Sequence, residues 1–314
     1  MNDPELHTQK SQAQDLQAIE LAAVEMARTA GKLLMGYFRK PLQVDYKMAN
    51  QRSPVTEADK AADEYIRGEI GRRFPAHAVL TEEIEEVPDR DAEFVWVIDP
   101  LDGTVNFMNG LPAWGVSIGV LHRDRPVVGA MFVPSIHSPE GNVLHAREGN
   151  GAFDDDMPIS LVDGTIPRNS LISAMPTYFL RMYHFSSDLR RSIGDIRATG
   201  STTFELVNVS RNVFQFAVSR SPWLWDVVAG IAVIKEAGGA VYTMEPGTKV
   251  WTPFERFAVT QAGAEATQSE LRKWRAPVIV GTPQAAGFVA AGLAHRNRRL
   301  RNTWRNIKGR FGNK

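Results

Sequence analysis

The stretch WVIDPLDGTVNF, residues 96–107, constrains this chain more than any other. An apolar run reaches Asp99, Pro100 follows at once, and Asp102 leads into Gly103 and Thr104. The run reads as a buried strand, and carboxylates at its edge are costly unless something neutralises them. The strand is expected to break after Asp99, leaving two carboxylates at one strand end. Whatever the fold, it must bring a neutralising partner to that point.

The chain has 314 residues, enough for one large domain or two modest ones with a sizeable core. Lys and Arg total 36 and so do Asp and Glu. The zero net charge gives no global argument for a nucleic-acid partner, and none is expected. With no cysteine, disulfides, thiolate metal sites and cysteine catalysis are excluded, and a cytoplasmic location fits. Residues 1–15 are polar. They lack the apolar centre of a signal peptide and are expected to be flexible. No apolar run is long enough to cross a membrane.

Leu16, Ile19, Met26, Leu33 and Phe38 predict an amphipathic helix over 16–39. Thr56, followed by Glu57, Asp59 and Asp63, predicts an N-cap and a helix to about Arg73. HAVLTEE and FVWVID read as strands ending in acids. From Gly115 to Phe153, β-branched runs separated by turns predict antiparallel sheet. Beyond that, strands are expected near 170–175, 195–198, 213–218, 240–244, 257–261 and 277–281. Helices are expected near 178–192, 202–210 and 227–237. The fold class is therefore α/β, with layers of sheet and helix.

The acids gather at element ends: Glu82 and Glu83 after AVLT, Asp99 and Asp102 around the proline, and Asp226 at the head of WDVVAGIAVIKEAGG. The last segment is apolar almost all round, which predicts a buried helix. Asp226 alone would read as an N-cap. Three such sites together match the oxygen-rich coordination that Mg²⁺ prefers. Two carboxylates flanking a turn can share a metal pair. The Gly103–Thr104 step offers backbone N–H groups where a helix begins, a place that holds phosphate. Metal-assisted hydrolysis of a phosphate ester is the chemistry this pattern suggests.

DPLDGTVNF, with TEE upstream and WDVVAGIAVIKEAGG downstream, resembles the inositol monophosphatase family, a group of Mg²⁺-dependent, lithium-sensitive phosphatases. SPVTEAD adds to the likeness, which covers about residues 16–290. The resemblance implies an alternating αβαβα arrangement. It divides residues 16–295 into a metal-site half, about 16–160, and a second half, about 161–295. It implies two or three Mg²⁺ ions per site, a small phosphorylated substrate and a homodimer. Residue by residue, Glu82, Asp99, the Leu101 carbonyl, Asp102 and Asp226 match the metal ligands, with Asp99 bridging and Glu83 beside them. Asp59 and Thr104 match the pair that orients and deprotonates the attacking water. The Gly103 and Thr104 amides would hold the phosphate, and Lys47 matches a basic residue near the metals.

The substrate wall departs from the family. Where many members carry G-x-A-A against the inositol hydroxyls, this chain has Gly200, Ser201, Thr202 and Thr203. Where many carry a glutamate seven residues before the second-motif aspartate, Ser219 stands, with Arg220 beside it. A pocket that reads hydroxyls discriminates through such partners, so strict inositol specificity is not expected. Histidinol phosphate, fructose 1,6-bisphosphate and 3′-phosphorylated nucleotides are the alternatives. Trp114 could line the pocket mouth or fill the core. After His295, the chain carries eight Lys or Arg and no acid, with Leu300, Trp304, Ile307 and Phe311 at helical spacing. Residues 296–314 thus form a basic amphipathic tail suited to weak contact with an anionic membrane.

Overall fold

The computed structural model describes residues 4–46, 54–84, 92–135, 138–161, 166–244, 247–257 and 266–295. The first half opens with helix α1 (Pro4–Tyr37), then strands β1 (Val44–Tyr46) and β2 (Pro54–Thr56), which pair as a small hairpin. Helix α2 (Glu57–Arg73) leads to β3 (Ala78–Thr81), β4 (Phe94–Asp102) and the short helix α3 (Thr104–Met108). Five strands follow: β5 (Gly115–His122), β6 (Arg125–Val133), β7 (Asn142–Arg147), β8 (Ala152–Asp154) and β9 (Met157–Ile159). Strands β3 to β9 form one seven-stranded sheet in sequence order. Only the β3–β4 pair is parallel within it.

The second half contains β10 (Ile172–Ala174), α4 (Phe179–Met182), β11 (Tyr183–Phe185), α5 (Ser187–Ser192), β12 (Asp195–Arg197), α6 (Thr202–Ser210), β13 (Phe214–Ser219) and α7 (Leu224–Glu236). It ends with β14 (Ala240–Met244), β15 (Trp251–Pro253), α8 (Gln268–Arg272), β16 (Val278–Gly281), α9 (Pro283–Gly292) and β17 (Leu293–His295). Its six-stranded sheet runs β12-β10-β13-β16-β14-β15, and β11 pairs with β17 as a separate ribbon.

Three apolar cores hold five layers together, the middle one spanning both faces of its helix layer. Residues of α1 and α2 pack on one face of the first sheet. Helices α6 and α7 fill the space between the two sheets. Residues of α4, α5 and α9 cover the far face of the second sheet. The layers are thus helix, sheet, helix, sheet, helix. Helix α7 can lie flat on the first sheet because Gly119 and Gly129 face it. A Cβ on Gly129 would sit 2.2 Å from the Ala229 carbonyl oxygen, and one on Gly119 2.4 Å from Val228. That close approach carries the first turn of α7 to the carboxyl end of β4.

The structure differs from the sequence-based expectations at several points. Strand β4 does not break at Asp99. It continues through Pro100 to Asp102, with a shift of register between Asp99 and Asp102 against β5. A proline is tolerated at such a bulge because the ladder is interrupted there anyway. Helix α1 starts at Pro4, well before residue 16. Residues 5–15 are mostly good helix formers, so the helix extends where no apolar stripe marks it. The helix expected over 178–192 is two short helices separated by β11. Tyr183 and Phe185, both buried, pair their backbone with β17 instead. Helix α7 begins at Leu224 rather than Val227. Apart from Phe257, the strand expected near 257–261 lies outside the described residues. The tail 296–314 lies wholly outside them. Trp114 is fully buried against Phe38, Phe107 and Phe132, a core residue and not a pocket wall.

Candidate active site

Asp59 is the third residue of α2, and Thr56 caps that helix. The Thr56 amide donates to Asp59 Oδ2 at 2.8 Å, and the Thr56 hydroxyl donates to the same oxygen. This reciprocal cap holds the carboxylate still and leaves its other oxygen, Oδ1, facing Thr104 Oγ1 at 3.1 Å. Thr104 Oγ1 also lies 3.1 Å from the Leu101 carbonyl oxygen. A hydroxyl has one hydrogen, so Thr104 serves one of these acceptors at a time. Asp59 is 2% exposed. Burial pushes its pKa up to about 6 against the pull of the Thr56 and Thr104 hydrogen bonds.

Asp99 and Asp102 stand on either side of the bulge. Asp99 is 2% exposed, and its Oδ1 accepts from the Leu101 amide at 3.1 Å. Burial first, then the negative charges of Glu82, Asp102, Asp226 and Asp59, raise its pKa well above the usual carboxylate range. Asp102 Oδ2 accepts from the Ser201 hydroxyl at 2.9 Å and from the Thr203 amide. Burial outweighs those bonds and lifts its pKa to about 6. Asp226 is the third residue of α7, and its Oδ2 accepts from the Trp223 amide at 2.8 Å. Its pKa is raised well above the ordinary range, by burial and then by Asp102. Glu82 follows β3, and its amide donates to the Ile98 carbonyl at 3.1 Å, which sets it beside the residue before Asp99.

The structure therefore gathers Asp59, Glu82, Asp99, Asp102 and Asp226 into one field of mutually repelling acids. Among the described residues, no lysine, arginine or histidine forms an ion pair with Asp59, Asp99, Asp102 or Asp226. Two buried and two half-buried carboxylates, with the more distant Arg275 acting on Asp226, make a donor set that suits a hard divalent ion. Among the described residues, no three acids converge on a single point as they stand. Asp102 and Asp226 each turn one oxygen to a backbone amide instead.

Gly103 sits at φ +91°, in the left-handed region, and starts α3. A Cβ there would lie 2.9 Å from the Ala113 carbonyl oxygen and 3.0 Å from Ser201 Cβ. Glycine thus lets the turn after Asp102 close against the 199–203 segment. Ser201 and Thr203, expected in the substrate wall, are hydrogen-bond partners of Asp102. Gly200 packs beside Asn106, and Thr202 opens α6.

Sequence reasoning missed two residues that steady this turn. Asn106 Nδ2 donates to the Ala113 carbonyl at 2.6 Å and the Thr199 carbonyl at 2.8 Å. Glu205 accepts from the Thr199 hydroxyl at 2.8 Å and amide at 3.2 Å, and burial lifts its pKa to about 7. An asparagine inside the DGTVNF motif was the available signal for the first. Nothing in the sequence marked the second.

The remaining expected site residues have other neighbours where they are described. Ser219 ends β13 opposite Val278. The Arg220 guanidinium lies over the Tyr178 ring at 5.8 Å. Glu83 faces a cleft of about 620 Å³ shared with Lys60, Asp63, Glu64 and Arg67. Lys47 lies outside the described residues.

The profile of the inositol monophosphatase family matches residues 15–281. A histidinol-phosphatase from Chlorobaculum parvum is 35% identical over 227 residues, covering 70% of this chain and 83% of that protein. The Nus factor SuhB of Escherichia coli is 32% identical, covering 70% of this chain and 82% of that protein. The solved inositol monophosphatase of Anabaena superposes with a TM-score of 0.65 at 26% identity, covering 88% of this chain and 96% of that one. A buried acid cluster at the end of β4 and the head of α7, the five layers and the family match agree: this chain belongs to the inositol monophosphatase family.

Proposed function

We propose that this phosphatase hydrolyses a small phosphorylated polyol or sugar with the help of Mg²⁺, held by Glu82, Asp99, the Leu101 carbonyl, Asp102 and Asp226. The observation that carries the reading is the gathering of Asp99, Asp102 and Asp226, buried or half-buried, where their mutual repulsion and burial raise all three pKa values and Arg275 offsets this only in part at Asp226. Ions bound there would neutralise that charge and make a bound water more acidic.

The chain's own residues then do the rest. Asp59 Oδ1 takes the hydroxyl hydrogen of Thr104, which leaves a Thr104 lone pair to receive a proton from the attacking water. A pKa of about 6 suits Asp59 to that task near neutral pH. The Gly103 and Thr104 amides would cradle the phosphate, and water would displace the alcohol in line, without a covalent enzyme intermediate. Two or three ions per site, a homodimer and a cytoplasmic location belong to the same proposal.

Activity is expected on more than inositol 1-phosphate. Ser219 and the Gly200–Thr203 segment, which lack the family's usual hydroxyl-reading groups, support this. Histidinol phosphate deserves a place beside the polyol phosphates because of the histidinol-phosphatase relative. The test compares kcat/KM for inositol 1-phosphate, fructose 1,6-bisphosphate, histidinol phosphate and adenosine 3′,5′-bisphosphate. Comparable values for two or more substrates are expected. A preference for inositol 1-phosphate of more than about a hundredfold over all the others, well within the reach of a pocket built to hydrogen-bond hydroxyls, would overturn it.

The basic tail 296–314 is proposed to give weak, salt-sensitive binding to anionic vesicles. Among the described residues no helix is long and apolar enough to cross a membrane.

A further inference from the structure

Glu82 and Asp226 come from different layers of the fold, and one arginine from a third element touches the residue before each. Arg272 is the last residue of α8. Its Nη1 donates to the Thr81 carbonyl at 2.7 Å, and its guanidinium carbon lies 5.2 Å from the centre of the Trp225 ring. Thr81 directly precedes Glu82, and Trp225 directly precedes Asp226.

Both ends of this link are held. The Thr267 cap and the buried Leu271 and Trp274 anchor α8, with Trp274 meeting Phe257 edge-on at 4.9 Å. Trp225 stacks on Trp223 at 5.1 Å and 12°, and Arg275 lies 3.9 Å over Trp223. The Trp223 amide is the group that donates to Asp226 Oδ2. The Trp225 carbonyl accepts from Ser117 Oγ at 3.0 Å, and Ser117 pairs with Asp99 across the sheet. Arg272 thus touches the residue before each acid, and the stacked Trp225–Trp223 pair carries its contact on to the amide that donates to Asp226.

We infer that Arg272 is a positioning residue that fixes the spacing between the Glu82 and Asp226 ends, and so sets the affinity of the acid cluster for Mg²⁺. The inference rests on the Mg²⁺ reading above. A planar guanidinium can stack on an indole and donate to a carbonyl at the same time, whereas an ammonium cannot hold both in one geometry. Partners one step behind metal ligands orient them, and their loss weakens metal binding more than it alters the chemistry.

The test follows the melting temperature of the full chain against Mg²⁺ concentration for wild type, Arg272→Lys, Arg272→Met and Arg272→Ala, with kcat at saturating Mg²⁺ alongside. In Arg272→Met, the Mg²⁺ concentration giving half the thermal shift should rise by about 10–100-fold. Arg272→Lys should fall between it and wild type, and kcat should change less than the metal response. Arg272→Met keeps the apolar stem, so it decides the question even if Arg272→Ala does not fold. An unchanged half-shift concentration in Arg272→Met, whatever its metal-free melting temperature, would mean that Arg272 only packs, and would overturn the inference alone. A wild type with no Mg²⁺-dependent shift would overturn the Mg²⁺ reading as well.

Discussion

Thr104 shows how much rests on one hydroxyl. It stands 3.1 Å from both Asp59 and the Leu101 carbonyl, at the junction of the proposed base and a proposed ligand. Thr104→Ala is expected to lower kcat by roughly 10²–10⁴, the range for a positioned proton acceptor or its support, while the Mg²⁺-induced thermal shift persists. An equal loss of both would assign the hydroxyl to metal binding instead. Asp59 yields a pH prediction. Its folded pKa of about 6 lies above the value of about 3.9 for a free aspartate. The group favours folding fully below about pH 4, and that contribution is lost as pH rises through about 6. Without Mg²⁺ the protein should therefore melt lower at pH 7.5 than this group alone would allow at pH 5. Asp59→Asn should raise the metal-free melting temperature at pH 7.5, since a shift of about two pKa units corresponds to about 3 kcal/mol. A lower melting temperature for that variant would show that the carboxylate is a net stabiliser through its cap.

Among elements, the turn from β4 into α3 is the most exacting. Gly103→Ala places a side chain at φ +91°, with its Cβ 2.9 Å from a carbonyl oxygen and 3.0 Å from Ser201. The left-handed conformation alone costs about 1–2 kcal/mol, and Ser201 must move off Asp102. Chemical denaturation should show a loss of at least that size, and activity should fall with it. Unchanged stability would mean the turn adapts freely. This turn also marks where the sequence was legible and where it was not. The two aspartates, the glycine and the threonine announced the site because charge at the end of an apolar run needs a reason. The continuation of β4 through Pro100 was not legible, because a bulge depends on how β5 pairs with it. The helical start at Thr56 could be read from its capping box. The split of 178–192 could not, because β11 exists only through its pairing with β17, more than a hundred residues away. The role of Ser201 in holding Asp102 is likewise long-range and leaves no local pattern.

At the scale of the whole molecule, the site depends on α7 sitting between two sheets. Glu82, Asp99 and Asp102 ride on the first sheet, and Asp226 arrives on the helix that both sheets enclose. The N-terminal layer α1–α2 supplies Asp59. No single half holds the set, which is why the sequence order of the motifs was informative while their spatial junction needed the fold. The tail lies outside the described residues and outside the family match, which ends at residue 281. Deletion of residues 296–314 is expected to leave turnover unchanged and to abolish binding to anionic vesicles in a sedimentation assay. Equal vesicle binding with and without the tail would remove the membrane proposal.

The central claim is that Mg²⁺, and not packing or capping, is what these buried acids are for. The direct measurement is phosphate release against Mg²⁺ concentration for wild type and for Asp99→Asn, Asp102→Asn and Asp226→Asn. Wild type should depend on Mg²⁺ and fall silent in excess chelator. Asp99→Asn should lose nearly all activity at every Mg²⁺ concentration, because Asp99 would bridge. Asp102→Asn and Asp226→Asn should keep some activity and need more Mg²⁺ to reach it. Full wild-type activity in excess chelator, or an Asp99→Asn enzyme with unchanged rate and Mg²⁺ dependence, would contradict the account.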